Sequence, residues 1–387
     1  MQIVVDLSPV VHKKAGLARY ARLLTEHLVT QDNTSTYVAF THGKFSDELL
    51  PPTLRALPRA TLPLDARPWR MLVWLAHVLR APMDRVLPRA DIFHATEHLL
   101  PPLKNARTVF TLHDLIFQSF PEYHLPLNRW FLRNAMPYFL RRADAIIAVS
   151  EWTKRDAIRF YNVPPEKIRV IYEAADPALR PESDPNRIAD VRARYAKNQP
   201  FLFFVSAIEP RKNIVALVDA LRVLHARGYP HRLLIAGRKG WLYQATFDHV
   251  KQTGMEGQVD FLDYVPDADL PALFAACDAF VFPSLYEGFG LPPLEAMACG
   301  APVVCSNTAS LPEVVGDSAL LVNPRDVGEI ANAVERVITD RALRDELRAK
   351  GFVQARKFSW ERAARETLAV YERVSGLMYQ VNLKPET

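Results

Sequence analysis

Short apolar runs alternate along this 387-residue chain with stretches in which apolar positions recur every third or fourth residue. The runs read as buried strands and the stretches as amphipathic helices. In the first half, strands are expected at Ile3–Asp6, Tyr37–Phe40, Ile92–His94, Val109–Leu112 and Ala145–Ser150, with helices at Leu17–Val29, Trp69–Leu79, Arg129–Arg141 and Trp152–Tyr161. In the second half, strands are expected at Phe201–Ala207, Arg232–Ala236, Val259–Leu262, Ala279–Pro283, Pro302–Cys305 and Ala319–Val322. Helices are expected there at Ile214–Ala226, Asp269–Cys277, Pro293–Ala298 and Val327–Thr339. Such alternation predicts an α/β chain with parallel sheets covered by helices on both faces.

At roughly 150 residues per domain, the length suits two or three domains. Asp176–Asn186 contains Pro177, Pro181 and Pro185 with little apolar pattern, and reads as a linker. The expected organisation is a Rossmann-like domain over 1–178, a second over 190–355, and a terminal segment over 356–387 with a helix at Trp360–Val374. Two such domains are expected to face a cleft. Ligands of these sheets bind outside the carboxyl ends of the strands, so the cleft is where chemistry is expected.

Charge adds one feature. Residues 1–180 carry 24 Lys/Arg against 17 Asp/Glu, and seven arginines fall within 54–90 against Asp65 and Asp84. A basic half suits an anionic partner, such as a membrane surface, a lipid phosphate or a nucleic acid; a solvated basic face is the alternative. Met1–Asp6 reads as a buried strand and not as a leader, and Trp69–Leu79 is too short to span a bilayer. Cys277, Cys299 and Cys305 sit in apolar segments without metal spacing, which predicts reduced thiols and a cytoplasmic protein.

Four segments carry candidate chemistry. In Phe282-Pro283-Ser284-Leu285-Tyr286-Glu287-Gly288-Phe289-Gly290-Leu291-Pro292-Pro293-Leu294-Glu295, the glycines and prolines forbid one continuous helix. The segment reads as strand, glycine loop and helix start, with Glu287 in the loop and Glu295 in the first helical turn. Exposed amides there suit a phosphate or sugar oxygen, and the carboxylates accept from sugar hydroxyls. A plain turn with a capping glutamate is the alternative. Arg211 and Lys212 follow an expected strand and suit a diphosphate, the first as a fork and the second as a point charge; a solvated turn is the alternative. Gly16, between Lys13-Lys14 and a helix, again suits an anion or a simple turn. His113 ends an apolar strand and either faces the cleft or is merely packed. Asp267-Ala268-Asp269 reads as a helix N-cap rather than a metal site, and no His/Cys cluster has metal-ligand spacing. No metal is expected in catalysis.

Taken in order, these segments resemble the retaining glycosyltransferases of family four, with the GT-B fold, over roughly residues 1–375. Val109-Phe110-Thr111-Leu112-His113-Asp114-Leu115, Val149-Ser150-Glu151 and Glu209-Pro210-Arg211-Lys212-Asn213 look most like bacterial mannosyltransferases of polysaccharide assembly. The resemblance implies that Arg211 and Lys212 neutralise the leaving diphosphate and that His113 sits beside the donor sugar. It implies that Glu287 holds that sugar beside the amides of Gly288, Phe289, Gly290 and Leu291, and that Glu295 holds the ribose. Gly16 would approach the diphosphate, and the backbone near Val265 would meet the base. The resemblance also makes 1–178 the acceptor domain and 190–355 the nucleotide-sugar domain, with the terminal helix of 356–387 crossing back to the N-terminal domain. Two departures stand out: Ala18 replaces a second glycine of the first loop, and Glu173-Ala174 replaces an Asn-Gly pair after the interdomain strand.

The activity so implied is transfer of a hexose, mannose favoured, from a nucleotide-diphosphate sugar such as GDP-mannose to a glycan or lipid-linked acceptor, with no separate cofactor. A sugar-nucleotide epimerase of the same fold, a retaining glycosidase using Glu287 and Glu295, and a non-catalytic sensor are the rival readings. No nucleic-acid partner is implied, and oligomeric state is left open. Trp69, Leu72, Val73, Ala76 and Leu79 or Arg80 form one apolar stripe with Arg67, Arg70 and Arg80 near its ends. The stripe suits either docking on the inner membrane face or burial in the core.

Overall fold

The computed structural model describes residues 1–376; the last part, 377–387, of the terminal segment expected over 356–387 lies outside the described residues. The chain forms two compact units. The first comprises Met1–Ser119, Pro126–Glu173 and the chain from Ser359, and the second comprises Phe120–Leu125 and Ala174–Phe358.

The first unit holds a parallel sheet in the order β3-β2-β1-β4-β5-β6-β7. Its strands are β1 (Gln2–Asp6), β2 (Thr36–His42), β3 (Arg59–Leu62), β4 (Ile92–Ala95), β5 (Arg107–Leu112), β6 (Ala145–Ala148) and β7 (Ile168–Val170). Val4 lies opposite both Val38 and Phe93, so the centre of the sheet is apolar on both sides of β1. β6 is shorter than expected because Ser150 caps the next helix, its Oγ accepting from the Thr153 N–H at 3.0 Å. The terminal helix, Trp360–Ser375, belongs to this unit and packs on helix Ala15–Gln31. Trp360 and Tyr371 are buried, and the Tyr371 hydroxyl and His94 Nδ1 lie 2.6 Å apart in a hydrogen bond.

The second unit holds a parallel sheet in the order β10-β9-β8-β11-β12-β13. Its strands are β8 (Phe201–Val205), β9 (Arg232–Ala236), β10 (Val259–Asp263), β11 (Ala279–Phe282), β12 (Val303–Ser306) and β13 (Ala319–Val322). The expected linker is shorter than its prolines suggest. Pro185 opens helix Pro185–Ala196, with Asp184 capping it by accepting from the Asn186 N–H at 2.9 Å. Asp269 stands before helix Leu270–Ala276 but makes no cap bond. It accepts instead from the Tyr195 hydroxyl at 2.7 Å and pairs with Arg194 at 3.0 Å, which corrects the capping role. All three cysteines are buried free thiols, and burial pushes Cys299 up to about 12.

Helix Ala66–Val78 corrects the expected stripe. Trp69, Val73 and Ala76 are buried in the first unit's core, whereas Leu72 and Leu79 are exposed. The exposed apolar face is Met71, Leu72, Leu75, Val78 and Leu79. Arg70 stacks on Phe131 at 4.1 Å and donates to Asn128 at 2.9 Å. Among the described residues, no helix is long and apolar enough to cross a membrane.

Candidate active site

In the second sheet, β8 and β11 are neighbours, and the chain fills the sheet outward from them in both directions. That is the point where loops leave on opposite sides and open a crevice at the strand ends. The loop after β8 carries Arg211 and Lys212, and the loop after β11 carries Glu287. The fold thus brings together groups 75 and 76 residues apart: Lys212 Nζ donates to Glu287 Oε1 at 2.6 Å, and Arg211 Nη1 to Glu287 Oε2 at 2.8 Å. Ser284 Oγ also donates to Glu287 Oε1 at 2.6 Å. Asn213, in a left-handed conformation at φ 56°, ties the loop down by donating to the carbonyls of Pro283 at 3.1 Å and Pro324 at 2.7 Å.

Burial alone would raise the Glu287 pKa. Arg211 and Lys212 outweigh it and hold the carboxylate at about 2. Burial, and then Arg211, push the Lys212 ammonium below the usual lysine range. Glu209, buried beside Arg211 at 3.4 Å, completes the cluster. Two carboxylates and two cations cancel in formal charge, so the cations are held in place before any ligand arrives.

Glu287, Gly288, Phe289, Gly290 and Leu291 are all buried. Gly290 has φ 121°, where a side chain is strained, and a Cβ there would stand 2.7 Å from Leu311 Cδ2 and have to displace that methyl. The following helix, Leu291–Ala298, starts before the prolines. Glu295 therefore sits in its second turn and not its first, and is buried. Val265 is buried just after β10, at the sheet edge.

Gly16 and His113 belong to the first unit. Gly16 is the second residue of helix Ala15–Gln31, whose N-terminus has no side-chain cap, and a Cβ on it would meet nothing within 4 Å. The start of this helix at Gly16 is therefore open to approach. His113 is engaged at both ring nitrogens: Nε2 bonds the Thr96 carbonyl at 2.9 Å, and Nδ1 lies 3.3 Å from Glu173. In this state the ring is held by the protein.

Glu209, Ser284 and Asn213 join the site without a motif of their own: Glu209 and Asn213 bracket the Arg-Lys pair and Ser284 lies three residues before Glu287, so proximity to the motifs is the available signal. Among the described residues, no group of three His, Cys, Asp or Glu could hold a metal ion.

Comparison with known proteins agrees with this organisation. Residues 15–179 match the family Glycosyltransferase Family 4, and residues 188–354 match Glycosyl transferases group 1. The chain is 32% identical to an Escherichia coli O-antigen chain mannosyltransferase B over 96% of this chain and 100% of that one. It is 36% identical to the E. coli serotype-specific mannosyltransferase WbdA over 69% of this chain and 34% of that longer protein. In fold it is similar to WaaG, a glycosyltransferase involved in lipopolysaccharide biosynthesis (TM-score 0.72, 15% identity, 97% of this chain and 100% of that one). It is also similar to Anabaena HepE in complex with UDP and glucose (TM-score 0.71, 22% identity, 95% and 98% covered). Two Rossmann-like units with parallel sheets, matched along nearly their whole length, make this chain a GT-B enzyme and a member of glycosyltransferase family 4.

Proposed function

We propose that the chain transfers a mannosyl residue from GDP-mannose to a glycan or lipid-linked acceptor in polysaccharide synthesis, retaining the anomeric configuration and using no divalent ion. The observation that carries the reading is the Arg211–Lys212–Glu287 cluster at the β8/β11 crevice. Breaking the sugar–phosphate bond places negative charge on the diphosphate. Arg211 and Lys212, fixed by Glu287, are dipoles and charges already oriented for it, the arrangement that lowers such barriers most. They take the place a divalent ion fills in other transferases. Glu287 and the Gly288–Leu291 amides would hold the donor sugar, Glu295 the ribose, the backbone at Val265 the base, Gly16 the diphosphate, and His113 would stand near the reacting carbon. The mannosyl assignment is supported by the names of the relatives above.

A retaining glycosidase fits less well. It needs a carboxylate free to attack the anomeric carbon, whereas both Glu287 oxygens are already bonded, Oε1 to Lys212 and Ser284 and Oε2 to Arg211. An epimerase would turn over donor without acceptor. The test is incubation of GDP-mannose with and without a mannose-terminated glycan, with NMR of the new anomeric proton. Acceptor-independent conversion of the sugar, or an inverted product, would overturn this reading.

The lipid-linked acceptor implies work at a membrane. Met71, Leu72, Leu75, Val78 and Leu79 form an exposed apolar face, and Trp74 on that helix contacts Trp130 of helix Pro126–Arg142 at 5.3 Å. Neither helix contains a carboxylate, and Arg67, Arg80, Arg133, Arg141 and Arg142 are exposed on or beside them. Apolar surface, tryptophan and unopposed arginine suit an anionic headgroup boundary.

A further inference from the structure

A buried carboxylate–histidine pair stands in the first unit. His113 follows β5, and Glu173 follows β7 at the place where the chain departs from Asn-Gly. The two residues are only 7% and 5% exposed. Every polar group of His113 has a partner. Its amide donates to His98 Nε2 at 3.1 Å, and its carbonyl accepts from the Thr153 hydroxyl at 3.2 Å. On the ring, Nε2 faces the Thr96 carbonyl at 2.9 Å, and Nδ1 faces Glu173 Oε1 at 3.3 Å. Both ring nitrogens thus face acceptors.

These partners fix the proton count of the ring. A carbonyl only accepts, so Nε2 carries a hydrogen. A bare Nδ1 would set its lone pair against those of a carboxylate, so a proton lies between Nδ1 and Oε1. It belongs to the imidazole, the more basic of the two groups. The ring therefore holds two hydrogens and a positive charge, and Glu173 holds the matching negative charge. Burying either charge alone would be costly, and the hydrogen-bonded pairing offsets that cost. The neighbouring rings do not oppose it. His98 Nε2 accepts the His113 amide and so is bare, and burial holds His98 at about 4. Burial holds His94 at about 3. Both are uncharged at neutral pH and leave the His113 charge unopposed. Tyr20 packs edge to face with His113, ring centroids 4.7 Å apart, and its hydroxyl shares a hydrogen bond with Thr111 Oγ1 at 2.9 Å. Asp114, next in the chain, accepts from the Ile116 amide at 3.3 Å.

We propose that Glu173 is a positioning residue for transfer, which holds His113 as an imidazolium whose ring meets the donor sugar only as a hydrogen-bond donor. The inference rests on the transferase reading, which sets His113 beside the reacting carbon, and it assigns the residue that decides the charge of that ring. Nδ1–H is anchored on Glu173, which leaves Nε2–H to be shared between the Thr96 carbonyl and an oxygen of the donor. A ring with two hydrogens neither accepts from a sugar hydroxyl nor takes its proton, so His113 is excluded as a base. A charged donor also makes a stronger hydrogen bond than a neutral one. A lone cation here would oppose the positive charge that develops on the sugar. Glu173 cancels it, so the pair offers a strong donor without net charge.

The test uses the full chain with 15N-labelled histidine. At neutral pH both ring nitrogens of His113, assigned by their loss in His113→Asn, should appear protonated. Glu173→Gln keeps the shape of the side chain, and its amide can donate to a bare Nδ1, so the ring stays in place but loses one hydrogen. That variant should show an unprotonated Nδ1 beside a protonated Nε2. Its kcat for transfer from GDP-mannose should fall about tenfold, the usual difference between a charged and a neutral hydrogen-bond donor, with KM for GDP-mannose unchanged. Damage to packing alone would leave both nitrogens protonated and would overturn the assigned role. An unprotonated His113 nitrogen in the unaltered chain overturns the proposal even if Glu173→Gln does not fold. A Glu173→Gln chain that transfers at the normal rate overturns it too. Absence of transfer by the unaltered chain would instead sink the transferase reading, while the nitrogen signals still decide the charge of His113.

Discussion

Replacing Glu287 by Gln tests the central cluster at the level of charge. The change preserves shape but leaves Arg211 and the buried Lys212 with only Glu209 as a carboxylate partner. Glu287 titrates at about 2 instead of near 4.5, and at 1.36 kcal/mol per pKa unit this is about 3 kcal/mol of native-state stability. Breaking a buried pair by removing one partner costs about 3–5 kcal/mol by a separate route, so the two agree. Because the folded pKa is the depressed one, the contribution is complete above about 4.5 and is lost as pH falls through about 2. A chain of two units has no single unfolding free energy, so the readout is denaturant-dependent hydrogen exchange in peptides covering β8 and β11. The variant should be about 3 kcal/mol less protected at pH 7, with the gap closing in strong acid. A second readout follows from the cluster's charge. Losing one carboxylate makes it net positive, so GDP should bind at least as tightly while transfer falls. Equal protection of the two proteins at pH 7, or weakened GDP binding in a folded variant, would refute the charge-compensated site.

Arg211→Ala and Lys212→Ala should each lower turnover by about 10²–10³ while the fold persists, the usual cost of losing one electrostatic stabiliser; near-normal steady-state rates in both would remove them from catalysis. Chelation should leave mannosyl transfer intact, and full loss restored by magnesium or manganese would show a metal requirement. Co-sedimentation with liposomes should depend on anionic lipid and should be lost when Arg67, Arg80 and Arg133 are changed to Glu. Arg70 is left alone in that variant because it is packed on Phe131 and its replacement would damage the core.

The apolar runs revealed strands wherever helices cover both faces of a sheet, because such strands are nearly continuous in apolar residues. Phe201–Val205 is one of these. β3 and β7 escaped because they are sheet edges, short and partly exposed, with sequences Arg-Ala-Thr-Leu and Ile-Arg-Val that carry no such run. Periodicity also found helix Ala66–Val78 without identifying its buried side. Its apolar positions cover two faces, and only packing against the sheet decides that Trp69, Val73 and Ala76 turn inward while Met71, Leu75 and Val78 do not.

The same distinction governs the sites. Arg211-Lys212 and the Glu287–Glu295 string are local, so residue type and spacing announce them. Their mutual neutralisation is not local: it exists because β8 lies beside β11, and strand order is decided by tertiary packing rather than by any one run. The Glu287 cluster stands where the second sheet's winding reverses, with two carboxylates matched by two cations, and positive charge held in place beforehand is what a diphosphate asks for.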